Sequence, residues 1–192
     1  MRKSAAITRC SWCGDDPLYQ QYHDTEWGVP EYNDDKLFEL LLLEGAQAGL
    51  SWITILKKRE GYRQAFDNFD ATKIAKYTAK KQASLLKNEG IVRNKLKVAA
   101  FTKNAIAYLA IKESGTSFSD FLWQFTNHKV IQNRWKTLQE VPASTPQAEA
   151  MSKALKKAGF SFVGPTICYA FMQAAGMVND HTVDCFRHKA LR

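Results

Sequence analysis

The stretch LLKNEGIVRNKL, residues 85–96, decides the fold that this sequence predicts. Two helical patterns flank a short turn that contains Gly90, and basic side chains follow the turn. This form is typical of a helix-hairpin-helix, whose turn presents backbone N–H groups to a phosphate. A plain corner between two helices is the alternative, because the pattern taken singly has low specificity.

The rest of the chain also has helical patterns. Asn33, Ser51 and Ser117 each stand where they can cap a helix that carries apolar residues at helical spacing. Pro146 and Pro165 each stand where a proline opens a helix. No convincing run of alternating apolar and polar residues predicts a strand. The sequence therefore predicts an all-α fold.

Length and composition place the chain among globular proteins. It has 192 residues, of which 45% are hydrophobic and 24% are charged, and these are ordinary values for a folded domain. No stretch approaches the roughly 18 consecutive apolar residues of a membrane span. The first ten residues include no apolar segment of the kind found in export signals. We therefore expect a cytoplasmic protein with no membrane partner.

The charge is unevenly distributed along the chain. The net charge is +8. Residues 1–50 carry 4 basic and 9 acidic side chains, a net of −5, and residues 51–192 carry 23 and 10, a net of +13. The basic part suggests a polyanionic partner such as nucleic acid, although a solvated basic surface is an equal alternative. The acidic part suits a neutral or cationic ligand.

Cysteine and histidine residues near the two ends of the chain could bind a metal ion. There are six such candidates: Cys10, Cys13 and His23, and His181, Cys185 and His188. Structural zinc takes four Cys and His ligands tetrahedrally, and such a site would tie together chain ends that otherwise fray. The spacing matches no common zinc finger, so the choice of ligands stays open here, as does the alternative that these residues are unrelated.

Aromatic residues are dense near the start of the chain. Trp12, Tyr19, Tyr22 and Trp27 fall within 16 positions, and Trp52 follows. Together they could line a pocket in which a flat ligand stacks. Core filling is the alternative for any one of them.

Glu44 stands in an apolar stripe. It shares a helix face with Leu37, Leu41 and Ala48. A carboxylate on a buried face is costly unless it is paired or has a function. The alternative is a glutamate near the helix end whose carboxylate lies in solvent. Gly49 follows, and it suits a bend or a close approach.

Several blocks of sequence carry a specific resemblance. They are DPLYQQYHDTEWGVP (16–30), KLFE (36–39), LEGAQAGLSWITILKKRE (43–60), GIVRNKLK (90–97), FSFVGPTICYAFMQAAG (160–176) and VNDH (178–181). Together they resemble the 3-methyladenine DNA glycosylase I family over roughly residues 9–186.

The resemblance implies a helix-hairpin-helix superfamily fold. It implies a single unit over residues 1–192, with two helical lobes, the base pocket between them and the hairpin near residues 85–97. The implied activity is monofunctional base-excision repair of 3-methyladenine in alkylated double-stranded DNA, and we expect a monomer. One structural Zn²⁺ is implied at Cys10, His23, His181 and Cys185, where it joins the N- and C-terminal segments.

The resemblance also implies the residues of the site. Glu44 is the candidate catalytic residue, with Tyr22 and Trp52 against the base. The aromatic residues expected around them are Trp12, Tyr19 and Trp27. From the hairpin we expect phosphate contacts at Gly90, Ile91, Val92, Arg93, Lys95 and Lys97. Gly49 and Leu50 are expected to fill the gap left by a flipped nucleotide.

The residues are compatible with this chemistry. A 3-methylated adenine is cationic and leaves readily, so the enzyme mainly has to extrude the base and select it. No aspartate lies between Asp70 and Asp120, where many members of the superfamily place one, so we expect simple hydrolysis without a lyase step. Two rival functions are an inactive DNA-binding module and a zinc-stabilised scaffold for protein partners.

Overall fold

The computed structural model describes residues 7–192 of the chain. The first six residues, which belong to the predicted unit 1–192 and to the stretch considered for an export signal, lie outside the described residues. Within the described part, no helix combines the length and the apolar character that crossing a membrane would need.

Ten α-helices form most of the described chain. They are α1 (Pro17–Thr25), α2 (Asp34–Gln47), α3 (Trp52–Ala65), α4 (Ala71–Ile74), α5 (Ala79–Leu85), α6 (Lys95–Glu113), α7 (Phe118–Trp123), α8 (Pro146–Lys157), α9 (Pro165–Ala174) and α10 (Phe186–Ala190). Single 3₁₀ turns lie at Ser11–Cys13, Asp67–Phe69, Gln124–Thr126 and Leu138–Glu140. The predicted, mostly helical architecture is confirmed.

The helices begin where the capping residues predict. The Asn33 side chain accepts from the N–H of Lys36 at the start of α2, and Ser117 Oγ accepts from the N–H of Asp120 at the start of α7. Ser51 precedes α3, but its hydroxyl bonds Thr54 Oγ1 instead of a backbone N–H. The side chains of Asn33 and Ser117 therefore act as N-caps, whereas that of Ser51 does not.

A two-residue strand pair corrects the all-α prediction. β1 (Ile131–Gln132) runs parallel to β2 (Val178–Asn179), with Ile131 opposite Val178. Two residues are too short to show an alternating pattern, so no sequence period could reveal them. The pair fixes the segment after α9, which carries His181, against the connection between α7 and α8.

Helix α2 lies at the centre of the molecule. It packs against α3, α6, α7 and α9, and its residues Leu37, Phe38, Leu41 and Leu42 are at most 1% exposed. The four-sided packing buries nearly the whole second half of the helix. Glu44, in that half, is therefore held inside the protein by the apolar residues around it.

The turn between α5 and α6 packs closely on α3. A Cβ added to Gly61, on α3, would collide with the carbonyl oxygen of Gly90. Only a residue without a side chain permits this approach. The two glycines therefore place the predicted hairpin turn beside the helix that begins with Trp52.

Candidate active site and metal centre

Two cysteines and two histidines from opposite ends of the chain form one buried cluster. Cys10, His23, His181 and Cys185 are each at most 2% exposed, and their potential ligand atoms all lie within 4.8 Å of one another. Among the described residues, Cys13 and His188 do not join the cluster. The Cys13 thiol donates to the carbonyl of Cys10 instead.

The distances within the cluster fit tetrahedral coordination. The Sγ atom of Cys185 lies 3.5 Å from His23 Nε2 and 3.5 Å from His181 Nδ1, and Cys10 Sγ is also 3.5 Å from His181 Nδ1. For bond lengths of about 2.3 Å to sulfur and 2.0–2.1 Å to nitrogen, a tetrahedral angle separates S and N ligands by about 3.5 Å. The cluster could therefore hold a metal ion.

The second nitrogen of each histidine has its own partner. His23 Nδ1 lies 2.8 Å from Asp24 Oδ1, and Arg9 in turn binds the Asp24 carboxylate. His181 Nε2 lies 3.1 Å from the carbonyl oxygen of Trp27. When those nitrogens donate, His23 Nε2 and His181 Nδ1 are left as lone-pair ligands, an orientation common in metal sites.

The two thiols of the cluster differ in acidity. The hydrogen bond with Cys10 lowers the pKa of Cys185 well below its usual value, whereas that same contact and burial raise the pKa of Cys10. The N–H of Thr182 points at Cys10 Sγ from 3.4 Å and favours its thiolate. One thiol thus ionises readily, and a divalent cation would displace the remaining proton.

A cavity of about 210 Å³ lies beside the cluster. It brings together Glu44 and all five aromatic residues that the sequence singled out: Trp12, Tyr19, Tyr22, Trp27 and Trp52. The rings of Tyr22 and Trp52 are 5.5 Å apart. These aromatic residues belong to the hydrophobic core or pack against it, and they also line the cavity.

Glu44 is an unpaired acid in this cavity. It is 2% exposed, and its Oε2 atom has no hydrogen-bond partner among the described residues. Burial raises its pKa from 4.5 to about 8. The alternative of a solvated helix-end glutamate is therefore wrong. Trp12 Nε1 and Trp52 Nε1 likewise lack partners within the described chain, so three residues that line the cavity carry a buried polar atom without a hydrogen bond.

Sequence reasoning missed Asp180, which also lines the cavity. Its carboxylate accepts from Asn133 Nδ2, Trp135 Nε1, Tyr169 Oη and Gln173 Nε2 at 2.6 to 2.8 Å. The VNDH block contains this residue, but the sequence alone gives no sign of its partners, of which Tyr169 and Gln173 come from the preceding helix α9 and Asn133 and Trp135 from a distant segment. Four donors satisfy a buried carboxylate and hold it rigidly.

A second cavity, of about 460 Å³, lies on the other side of Tyr22 and Trp52. Its charged side chains are already paired: Arg59 binds Glu26, and Arg63 binds Glu39. We therefore place the candidate active site in the smaller cavity, where the acid of Glu44 has no partner.

The turn before α6 offers fewer free donors than expected. The N–H groups of Gly90, Ile91 and Val92 donate to Asn88 Oδ1, Asn88 O and Tyr62 Oη respectively. These three amides are hydrogen-bonded within the protein, and the phosphate contacts expected at Gly90, Ile91 and Val92 stay a prediction. The side chains of Arg93 and Lys95 are exposed and remain candidates.

The structure contradicts the prediction for Lys97. This residue is 7% exposed, and its ammonium group donates to the carbonyl oxygens of Ala46 at 2.8 Å and Ala48 at 2.6 Å. Both acceptors belong to the end of α2. A buried ammonium held by two carbonyls does not reach a phosphate on the surface. The sequence pattern GIVRNKLK gave no sign of this, because α2 is distant along the chain.

Gly49 and Leu50 form an exposed turn between α2 and α3. Gly49 has φ +77°, which favours glycine, and Leu50 is 41% exposed. The turn connects Gln47 to Trp52, and both of these residues line the cavity. An exposed leucine there is available for contact with a partner.

Comparisons with known proteins agree with this geometry. The model of the methyladenine glycosylase family matches residues 12–188. A DNA-3-methyladenine glycosylase from Haemophilus influenzae is 55% identical over 178 residues, 93% of this chain and 96% of its own length.

Solved structures agree as well. The crystal structure of a 3-methyladenine DNA glycosylase I has a TM-score of 0.92 at 52% identity and covers 93% of this chain and 98% of its own. A tyrosine-to-phenylalanine variant of such an enzyme, in complex with 3-methyladenine, has a TM-score of 0.90 at 38% identity and covers 94% and 97%. The family match and these identities, which extend over nearly the whole chain, show that the chain belongs to the methyladenine glycosylase family.

Proposed function

We propose that this protein is a base-excision repair enzyme that hydrolyses the N-glycosidic bond of 3-methyladenine in alkylated DNA. The observation that carries the proposal is the unpartnered, buried carboxyl group of Glu44 in a cavity walled by aromatic rings. The family and the named substrate of its relatives support it.

The cavity suits a cationic purine. An ionised Glu44 would pair with the positive edge of the base, and the faces of Tyr22 and Trp52 would stack on a cationic ring, a contact worth about 0.5–2 kcal/mol each. Ionising Glu44 is costly because burial raises its pKa to about 8. A cationic base offsets that cost, whereas neutral adenine does not. Selection of the lesion follows from this difference in charge.

The reaction is simple hydrolysis. Water oxygen forms the new bond to the sugar C1′ atom, and the bond between C1′ and the base nitrogen breaks. The electron pair of that bond neutralises the departing cationic base, and the proton of the water passes to solvent. Alkylation has already made the base a good leaving group, so Glu44 and the aromatic rings mainly hold and select it. No lyase step is involved.

Access to the base requires extrusion from the duplex. We assign α5, the turn and α6 to a helix-hairpin-helix that grips the DNA backbone. The exposed side chains of Arg93 and Lys95 carry the phosphate contacts. Leu50 fills the gap left by the flipped nucleotide, and Gly49 permits the turn that exposes it. The excess of basic residues after residue 50 favours double-stranded DNA as the partner.

The Cys10, His23, His181 and Cys185 cluster would hold one zinc ion. Two thiolates and two imidazoles match the ligand preference of zinc, and the separations of about 3.5 Å between S and N match its tetrahedral geometry. Four protein ligands leave no position for water, so the ion stabilises the fold. The protein would act as a monomer in the cytoplasm.

Release of free base from methylated duplex DNA tests the proposal. The wild type should liberate 3-methyladenine from alkylated duplex, measured by chromatography of the released base under single-turnover conditions. Glu44→Gln should slow the release. Glu60→Gln is the control, since the Glu60 side chain is 68% exposed and far from the cavity lining. Absence of 3-methyladenine release by the wild type would refute the proposed function.

A further inference from the structure

Lys97 joins two parts of the protein that the proposed mechanism uses separately. Its ammonium donates to the carbonyl oxygens of Ala46 and Ala48. Because α2 ends at Gln47, the carbonyls of its last turn lack helical N–H partners. A positive charge at the carboxyl end of a helix is also electrostatically favourable. The lysine thus completes the end of α2.

The segment that Lys97 holds supplies the cavity and the exposed turn together. Residues 44–52 include the acid Glu44, the cavity residues Gln47 and Trp52, and the exposed Leu50. Ala46 and Ala48 lie in the middle of this segment. Within the turn itself, the N–H of Leu50 donates to the carbonyl of Gln47 at 2.6 Å. Lys97 holds this turn through side-chain hydrogen bonds from another helix.

The backbone of Lys97 belongs to the helix-hairpin-helix that the proposed function assigns to DNA binding. It lies in the first turn of α6, two residues after Lys95 and four after Arg93. Its ammonium group is buried, which lowers its pKa, so the bonds to the two carbonyls must compensate for lost hydration. The buried ammonium of Lys97 thus links α6 to the end of α2, at Ala46 and Ala48.

We propose that Lys97 is a positioning residue: it fixes where the segment 44–52 lies relative to the phosphate-binding turn. Phosphates held by the hairpin then lie at a fixed distance from Leu50 and from the mouth of the cavity. The inference rests on the proposed function. The rate at which the flipped base enters the cavity therefore depends on Lys97, whereas the affinities for DNA and for the free base do not.

Three variants test the proposal. Lys97→Met keeps the length of the side chain but removes the charge and both hydrogen bonds, and Lys97→Arg restores a donor. Lys103→Met is the matched control, since Lys103 is an exposed lysine on the same helix. The measurements are single-turnover excision from methylated duplex, affinity for undamaged duplex at several salt concentrations, affinity for free 3-methyladenine, and thermal unfolding.

Lys97→Met should slow excision by about 10- to 100-fold, the loss expected when a reactive group is misplaced by about 1 Å. The salt dependence of duplex binding and the free-base affinity should stay at the wild-type values. Lys97→Arg should recover part of the rate, and Lys103→Met should behave as wild type. If Lys97→Met does not fold, the same measurements on Lys97→Gln, which can still bond one carbonyl, decide the matter.

Three results would overturn the inference. A salt slope reduced by about 0.9 would make Lys97 a phosphate contact. Equal losses in excision and free-base affinity would make it a mere support of the cavity. Excision by Lys97→Met at the wild-type rate would show that Lys97 has no positioning role. All three leave the proposed function intact, since that fails only when the wild type releases no 3-methyladenine.

Discussion

Replacing Glu44 by Gln should stabilise the folded protein at neutral to alkaline pH. Burial raises the pKa of Glu44 from 4.5 to about 8. The folded protein therefore keeps a proton that the unfolded chain loses above pH 4.5, so the free energy of unfolding falls as pH rises from 4.5 to 8. Gln carries no such proton. The variant should match the wild type near pH 4.5 and exceed it increasingly up to pH 8.

The size of the effect follows from the two pKa values. Each pH unit between 4.5 and 8 contributes up to about 1.4 kcal/mol, so the upper bound is about 5 kcal/mol. Local relaxation and water entry reduce this figure. For a chain of this length, 1 kcal/mol moves the melting temperature by about 2–4 °C. We expect Glu44→Gln to melt several degrees above the wild type at pH 8.

Glu44→Gln should lower the excision activity although it raises the stability. A charge-assisted hydrogen bond contributes more than a neutral one, so Glu44→Gln should lose about 1–3 kcal/mol of base recognition. That corresponds to about a 5- to 150-fold loss in excision. Because only the ionised acid pairs with a cationic base, wild-type kcat/KM should rise with pH up to about 8. The variant should lack this rise.

The assays are calorimetric melting from pH 4.5 to 8.5 and single-turnover excision over the same range. Glu60→Gln, at an exposed glutamate, controls for the general effect of removing an acid. Affinity for undamaged duplex should stay constant, because Glu44 lies inside the cavity. If the melting difference between Glu44→Gln and the wild type does not vary with pH, the buried, unpaired state of this carboxyl is refuted.

Three further predictions concern the metal, the stacking and the DNA. Elemental analysis should find one zinc per chain, and Cys10→Ser combined with His181→Ala should abolish it and lower the melting temperature; full occupancy in that variant would contradict the ligand set. Trp52→Ala should weaken base binding by about 0.5–2 kcal/mol in titrations, while the pH dependence of excision persists. Lys95→Ala should reduce the salt slope of duplex binding by about 0.9, and an unchanged slope would exclude its phosphate contact.

Local signals in the sequence were sufficient for most of the helical framework. The side chains of Asn33 and Ser117 cap the helices that they predict, because capping depends only on a polar side chain and the next three amides. The strand pair at Ile131 and Val178 was not predictable. Its two hydrogen-bonded residues on each side depend on segments that only the folded chain brings together.

The candidate site was predictable where residue type alone limits the role. A carboxylate in an apolar stripe and a group of aromatic residues are compatible with a pocket, the family resemblance brings them to one site, and Glu44 and Trp52 do line one cavity. Lys97 and Asp180 show the limit of such reasoning. The basic residues near Lys97 in sequence suggest a phosphate contact, but in the structure its ammonium donates to carbonyl groups at the end of α2. The role of a polar side chain depends on which acceptors the fold places nearby.

The metal cluster and the base cavity are built from neighbouring residues, so one affects the other. His23 follows Tyr22 on α1, and His181 follows Asp180. The two histidines belong to the cluster, and Tyr22 and Asp180 line the cavity. Trp27 joins them again, because its ring packs 4.6 Å from the ring of His181. An ion that fixes both histidines would therefore also restrict three residues that line the cavity: Tyr22, Trp27 and Asp180. A structural metal at the cluster would therefore stabilise the part of the cavity that comes from the two ends of the chain, whereas Glu44, Gln47 and Trp52 reach the cavity from α2 and α3.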